Sequence, residues 1–137
     1  MEEEYDFVFK IIFVGTTDTG KTNLINKYIN NEFSINIRPT VGVEFTSKNV
    51  NINGRKIEFQ IWDTAGQERN KSVIEAFYKR TSGAFIVYDI SNKKSFNEID
   101  KFIDKIKEIN SNKEIPFILI GNKSDLTEKE KSKLMKD

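Results

Sequence analysis

Apolar positions fall along this chain in two kinds of run. Phe7 to Val14 is short and mostly Phe, Ile and Val, and it stops at Gly15, the pattern of a buried strand entering a loop. From Thr22 the apolar residues Leu24, Ile25, Tyr28 and Ile29 recur at helical spacing, so a helix follows that loop. Phe33 to Val41 has no clear period and contains Pro39, which predicts a surface loop. Val43 to Ile52 and Arg55 to Trp62 flank Asn53-Gly54, two residues that tolerate the positive φ a tight hairpin turn requires. In the second arm Ile57, Phe59 and Ile61 alternate with Glu58 and Gln60, which gives that strand one wetter face.

The runs Phe85 to Tyr88 and Phe117 to Ile120 are unbroken and apolar, and they read as parallel strands buried on both faces. Between them, Ser95 to Asn110 carries Phe96, Ile99, Phe102, Ile103, Ile106 and Ile109, the stripe of one amphipathic helix facing a core. Ser95 with Glu98 three residues on predicts a capping box at its start. Thr127 with Glu130 repeats the signature and starts a final helix. Strands alternating with helices, plus one hairpin, define an α/β doubly wound sheet, mostly parallel with one antiparallel edge hairpin. Ligands on such sheets bind at the carboxyl ends of the strands.

Length and composition narrow the class. A chain of 137 residues is one domain by size. Lys plus Arg is 22 and Asp plus Glu is 21, so net charge gives no argument for a nucleic-acid partner. The absence of cysteine removes a disulfide framework, a thiolate zinc site, a cysteine nucleophile and a prenylation site within the chain. The absence of histidine removes a histidine triad and a histidine metal site. No apolar run approaches the ~18 residues of a transmembrane segment. The expectation is a cytoplasmic protein.

Three motifs then fall at predicted strand ends. Gly15-Thr16-Thr17-Asp18-Thr19-Gly20-Lys21-Thr22 fits G-x-x-x-x-G-K-[ST]. Its glycines let the backbone wrap a phosphate, Lys21 supplies a cation, the Thr22 hydroxyl can ligate Mg²⁺, and the following helix adds a positive dipole end. Asp63-Thr64-Ala65-Gly66 follows the strand ending at Trp62, where an aspartate can hold the hydration shell of Mg²⁺. Gln67 beside it is a residue type able to orient an attacking water. Asn122-Lys123-Ser124-Asp125 offers an amide and a carboxylate, and a carboxylate can accept from the N–H/NH₂ pair that guanine presents and adenine does not. With 14 Asn and 18 Lys, N-K-x-D arises by chance with roughly 10% probability, so its position is what persuades.

The order of these motifs resembles that of the Ras-like small GTPases, P-loop NTPases with a Ras-like G domain, and within them the Rab family. Trp62 to Arg69 matches the Rab and Ras-like pattern, Thr40 to Phe45 looks like the Rab version of the first switch, and Val87-Tyr88-Asp89-Ile90 is Rab-like. The resemblance implies a GTP/GDP-binding switch of vesicle trafficking that needs Mg²⁺ and hydrolyses GTP slowly without a GAP. Carried over by position, Lys21 binds the β- and γ-phosphates, with Gly15, Asp18, Thr19, Gly20, Thr22 and Asn23 around them. Thr22 and Thr40 are direct Mg²⁺ ligands, and Asp63 acts through water. The Gly66 N–H senses the γ-phosphate and Gln67 positions the hydrolytic water. Phe33 packs on the guanine edge, Asn122 and Asp125 read guanine, and the Lys123 stem covers the ring. Effectors, a GAP and an exchange factor would contact Ile35 to Phe45 and Gly66 to Phe77. Phe45, Trp62 and Phe77 match the aromatic triad of that surface, with core packing as the competing explanation.

The chain also departs from the family pattern. Asp18 stands where many relatives carry Gly or another small neutral residue, which predicts weakened nucleotide affinity. Asn70-Lys71-Ser72 replaces a stretch that usually contains an aromatic, and Ile37 replaces an aromatic often seen before the switch threonine. By resemblance the domain is expected to be incomplete at its C-terminus, lacking the last strand, the last helix and a Ser-Ala-Lys loop. Two alternatives follow: a truncated fragment without stable nucleotide binding that acts only through protein contacts, or an unrelated P-loop kinase, which Asn122 and Asp125 disfavour.

Overall fold

A computed structural model describes residues 4–16, 19–30, 43–64, 69–111 and 113–122. Its elements in chain order are β1 (Phe7–Val14), α1 (Lys21–Asn30), β2 (Val43–Ile52), β3 (Arg55–Thr64), α2 (Lys71–Tyr78), β4 (Gly83–Asp89), α3 (Lys93–Asn97), α4 (Ile99–Ile109) and β5 (Phe117–Asn122). The five strands form one sheet in the order β2-β3-β1-β4-β5. β1 runs parallel to β3 and β4, and β4 parallel to β5, while β2 and β3 are antiparallel. This is the mostly parallel sheet with one antiparallel edge hairpin expected from the sequence. The predicted bounds of β1 match, and β3 runs two residues past Trp62 to Thr64.

The hairpin register closes on Ile52 opposite Arg55, with Asn53 at φ 51° and Gly54 at φ 77°. Positive φ at both central residues gives the turn the twist of the flanking strands.

Side-chain alternation along β1 divides the core. Ile12 and Val14 face α2 and α4, in a buried cluster with Phe77, Tyr78, Ala84, Ile86, Ile99 and Ile106. Phe13 faces the other way, into a smaller cluster with Ile25 of α1, Ile61 and Val87. α2 starts at an Asn70 cap whose side chain accepts from the N–H groups of Ser72 and Val73 at 3.0 and 3.2 Å.

Three expectations are corrected. The helix read over Ser95 to Asn110 is two helices, broken at Glu98. Asn92 caps the first, and its side chain accepts from the Ser95 N–H. Ser95 is therefore inside α3 rather than at its start: its hydroxyl donates to the carbonyls of Asn92 and Asp89 and ties α3 to the end of β4. Phe96 accordingly leaves the stripe and is half exposed, with its ring against the edge of Tyr88. Second, β5 is not buried on both faces: among the described residues it hydrogen-bonds only β4, and Phe117, Ile118 and Leu119 are 41%, 58% and 49% exposed. Third, Phe77 is fully buried, so of the aromatic triad only Phe45 and Trp62 reach the surface region; their rings meet edge-on at 5.4 Å. The predicted loop over Phe33 to Val41 and the helix after Thr127 lie outside the described residues.

Candidate functional site

β1, β3 and β5 run parallel, so their carboxyl ends lie along one edge of the sheet. Each ends in one of the three motifs. Gly15 leaves β1 at φ 152°, and a Cβ there would stand 2.2 Å from the Val87 carbonyl oxygen. Gly20 precedes α1 at φ 90°, and a Cβ there would stand 2.1 Å from Asn122 Nδ2. The motif glycines are thus required by a backbone packed against β4 on one side and β5 on the other.

The loop between them is organised by its own polar atoms. Thr19 is buried, and its hydroxyl donates to the Thr16 carbonyl at 3.0 Å. Lys21 is only 6% exposed, and its ammonium donates to the carbonyls of Gly15 and Thr16 at 2.6 and 3.0 Å. The cation is therefore fixed relative to the loop, not free to sweep solvent. α1 begins at Lys21, which directs the first-turn N–H groups and the positive end of the helix dipole to the loop.

Two long-range contacts bring the other motifs in. Thr22 Oγ1 donates to Asp63 Oδ2 at 2.6 Å, and Asp63 is 3% exposed at the end of β3. Asn122 Nδ2 donates to the Thr19 carbonyl at 2.8 Å. Asn122 was expected to read a base; here its amide also ties β5 to the phosphate-loop candidate, across a separation of 103 residues. No local signal marks such a contact.

The donor set suits Mg²⁺. A hydroxyl and a carboxylate are hard oxygen donors, and Mg²⁺ is commonly held by one or two protein oxygens, with substrate phosphates and waters supplying the rest. Among the described residues there is no group of three or more His, Cys, Asp or Glu that would make an all-protein cage.

The structure thus brings together Gly15, Thr19, Gly20, Lys21, Thr22, Asp63 and Asn122, with Asn23 in the first turn of α1. The expected roles of Asp18, Phe33, Thr40, Gly66, Gln67, Lys123 and Asp125 fall outside the described residues.

Sequence reasoning missed two buried or half-buried lysines. Lys10 on β1 donates to the carbonyls of Ala76 and Lys79, at the C-terminal end of α2. Lys48 on β2 donates to the Tyr28 carbonyl in the last turn of α1 and stands 4.0 Å from the centre of that tyrosine's ring. Lys10 did leave a trace, as the one charge inside the apolar run Phe7 to Val14.

A mostly parallel sheet whose carboxyl edge gathers residues of all three motifs is the arrangement of the P-loop NTPase fold class. Residues 10–136 match the Ras family, and the chain belongs to it. Its similarity within the family is to Rab proteins. It is 45% identical over 125 residues to Ras-related protein Rab-11B of Dictyostelium discoideum, covering 91% of this chain and 56% of that one. GTP-binding protein ypt3 of Schizosaccharomyces pombe is 42% identical over 91% of this chain and 58% of its own. Ras-related protein rab-11.1 of Caenorhabditis elegans is 36% identical over 91% of this chain and 59% of its own. The chain thus spans less than two-thirds of the length of these relatives. No helix among the described residues is long and apolar enough to cross a membrane.

Proposed function

We propose that this chain is the nucleotide-binding core of a Rab-type switch that binds GTP with Mg²⁺ and hydrolyses it to GDP and phosphate in membrane trafficking. The observation that carries this is the convergence of three strand ends on one loop. Thr22 meets Asp63 at 2.6 Å and Asn122 meets Thr19 at 2.8 Å. Family membership favours this reading over a fragment that acts only through protein contacts.

In this reading the loop and the first turn of α1 bind the phosphates through backbone N–H groups. Lys21, already held by the Gly15 and Thr16 carbonyls, supplies preorganised positive charge for the transferring phosphoryl group. Thr22 and Asp63, with Thr40, would hold Mg²⁺, which when bound supplies further charge neutralisation on the phosphates. Gln67 orients the attacking water, Gly66 senses the γ-phosphate, and Phe33, Asn122, Lys123 and Asp125 hold guanine. The output is a change of surface around Ile35 to Phe45 and Gly66 to Phe77, read by effectors, a GAP and an exchange factor. Attachment to a membrane would be peripheral and would need a lipidated segment beyond these residues.

The test is Mg²⁺-dependent binding of fluorescent GDP and GTP, with ATP as competitor. Guanine-selective binding, followed by single-turnover hydrolysis that Gln67→Leu slows, is the expected result. A folded chain that binds neither nucleotide, or that ATP competes for equally, overturns the proposal.

A further inference from the structure

Lys10 sits in the middle of β1 on the face it shares with Ile12 and Val14, and it is 9% exposed. A buried ammonium is costly unless its donors are satisfied. Two of them go to the Ala76 and Lys79 carbonyls at 2.9 and 2.7 Å, where α2 ends and carbonyls lack partners within the helix. The positive charge there also complements the negative end of the helix dipole. The same nitrogen lies 4.1 Å from the centre of the Trp62 ring, over its electron-rich face. Trp62 is the residue before Asp63, the carboxylate that meets Thr22.

One side chain therefore touches two elements: α2, whose Ile74 and Phe77 line a cleft together with Gly15 of the loop, and β3, which carries Asp63. It holds the last turn of α2, and it backs the end of β3. Phe77 and Tyr78 in the same last turn are buried in the main core cluster, so Lys10 adds a polar tie to a turn that apolar packing sets against the sheet.

We propose that Lys10 is a positioning residue for GTP hydrolysis, holding α2 and the Trp62-Asp63 end of β3 in one fixed relation. The proposal rests on the GTPase reading given above. Lys10 touches no nucleotide in this scheme and acts only through α2 and β3. Its loss acts on turnover by loosening the placement of α2, and can act on Mg²⁺-dependent affinity through Asp63, so turnover is read with nucleotide saturating.

The test compares wild type with Lys10→Met, which keeps the stem, and Lys10→Arg, which keeps the charge and the donors. Three quantities are read: the GDP dissociation constant, the single-turnover hydrolysis rate, and backbone hydrogen exchange. Lys10→Met should slow single-turnover hydrolysis at saturating nucleotide about 5- to 10-fold, and should lower protection of α2 amides about 10-fold while β4 keeps its own. Lys10→Arg should recover most of both losses. If Lys10→Met does not fold, Lys10→Gln carries the same comparison with an uncharged donor. Unchanged hydrolysis and α2 protection in the uncharged variant overturn the proposal. So does a loss of protection spread equally over α2 and β4, which would mark Lys10 as ordinary core. Wild-type GDP binding judges the GTPase reading separately. If it is absent, that reading fails, and α2 protection still decides whether Lys10 anchors the helix.

Discussion

At the scale of single residues, the candidate site is a set of close approaches that small changes would break. Gly20 combines φ 90° with a neighbour, Asn122 Nδ2, where a Cβ would stand 2.1 Å away. Gly20→Ala must strain the backbone or displace the Asn122 amide from the Thr19 carbonyl. It should cost about 1–3 kcal/mol of stability, read by urea unfolding, and weaken nucleotide binding with it. Lys10 shows a different residue-scale effect. Burial lowers its pKa from 10.5 to about 8, and the charged groups lining the cleft above it, Lys79 and Arg80, are both cations. Between these two values the unfolded chain holds a proton on Lys10 that the folded chain has released. The Lys10 contribution to stability should therefore rise with pH from about 8 to about 10.5. Stability measured at pH 7 and pH 9.5 in wild type and Lys10→Met would show a difference between the two proteins that shifts in favour of wild type at the higher pH.

At the scale of elements, α2 is the piece whose exposed and buried faces have different meanings. Phe77 is fully buried against Ile12 and its neighbours, whereas Phe45 on β2 is 51% exposed. Phe77→Ala should destabilise the fold by about 3–5 kcal/mol, while Phe45→Ala should change stability by about 1 kcal/mol or less. Thermal or urea unfolding of the two variants checks this, and equal losses would contradict the assignment of Phe77 to the core. The helix break at Glu98 is explained at this scale too. The first of the two helices starts after Asn92, whose side chain accepts from the Ser95 N–H, so the start lies three residues before the expected one. Ser95 is consumed by the Asp89 and Asn92 carbonyls, so it cannot start the helix that its spacing to Glu98 suggested.

At the scale of the whole molecule, three strand ends separated widely in sequence form one candidate site, so ligand and fold should be strongly coupled. A ligand that binds only the folded state stabilises it by about 2.7 kcal/mol at a hundred times its dissociation constant. GDP with Mg²⁺ should raise the melting temperature by several degrees, and a chelator should remove most of that shift, whereas ATP should produce little. Scanning calorimetry under the three conditions decides it. The strand order also explains why β5 differs from β4 despite an equally apolar sequence. β4 lies between two strands with helices nearby, and β5 is at the edge of the described sheet. A run of Phe, Ile and Leu states what a strand tolerates, but burial depends on what packs over it.

The sequence by itself determined the strands, the hairpin turn, the fold class and the three motif positions, because periodicity, turn residues and phosphate-loop chemistry are local properties written in neighbouring residues. Asn53-Gly54 and the run Phe7 to Val14 are examples where the local preference and the final structure agree. Only the tertiary structure decided that Asn122 grips the Thr19 carbonyl, that Phe77 is core, that Ser95 serves β4, and that Lys10 joins α2 to β3. Each of these depends on a partner brought close by the sheet from far along the chain. The free energy of a hydrogen bond or an apolar contact belongs to the pair and its surroundings, and one member of the pair, read alone, does not reveal it.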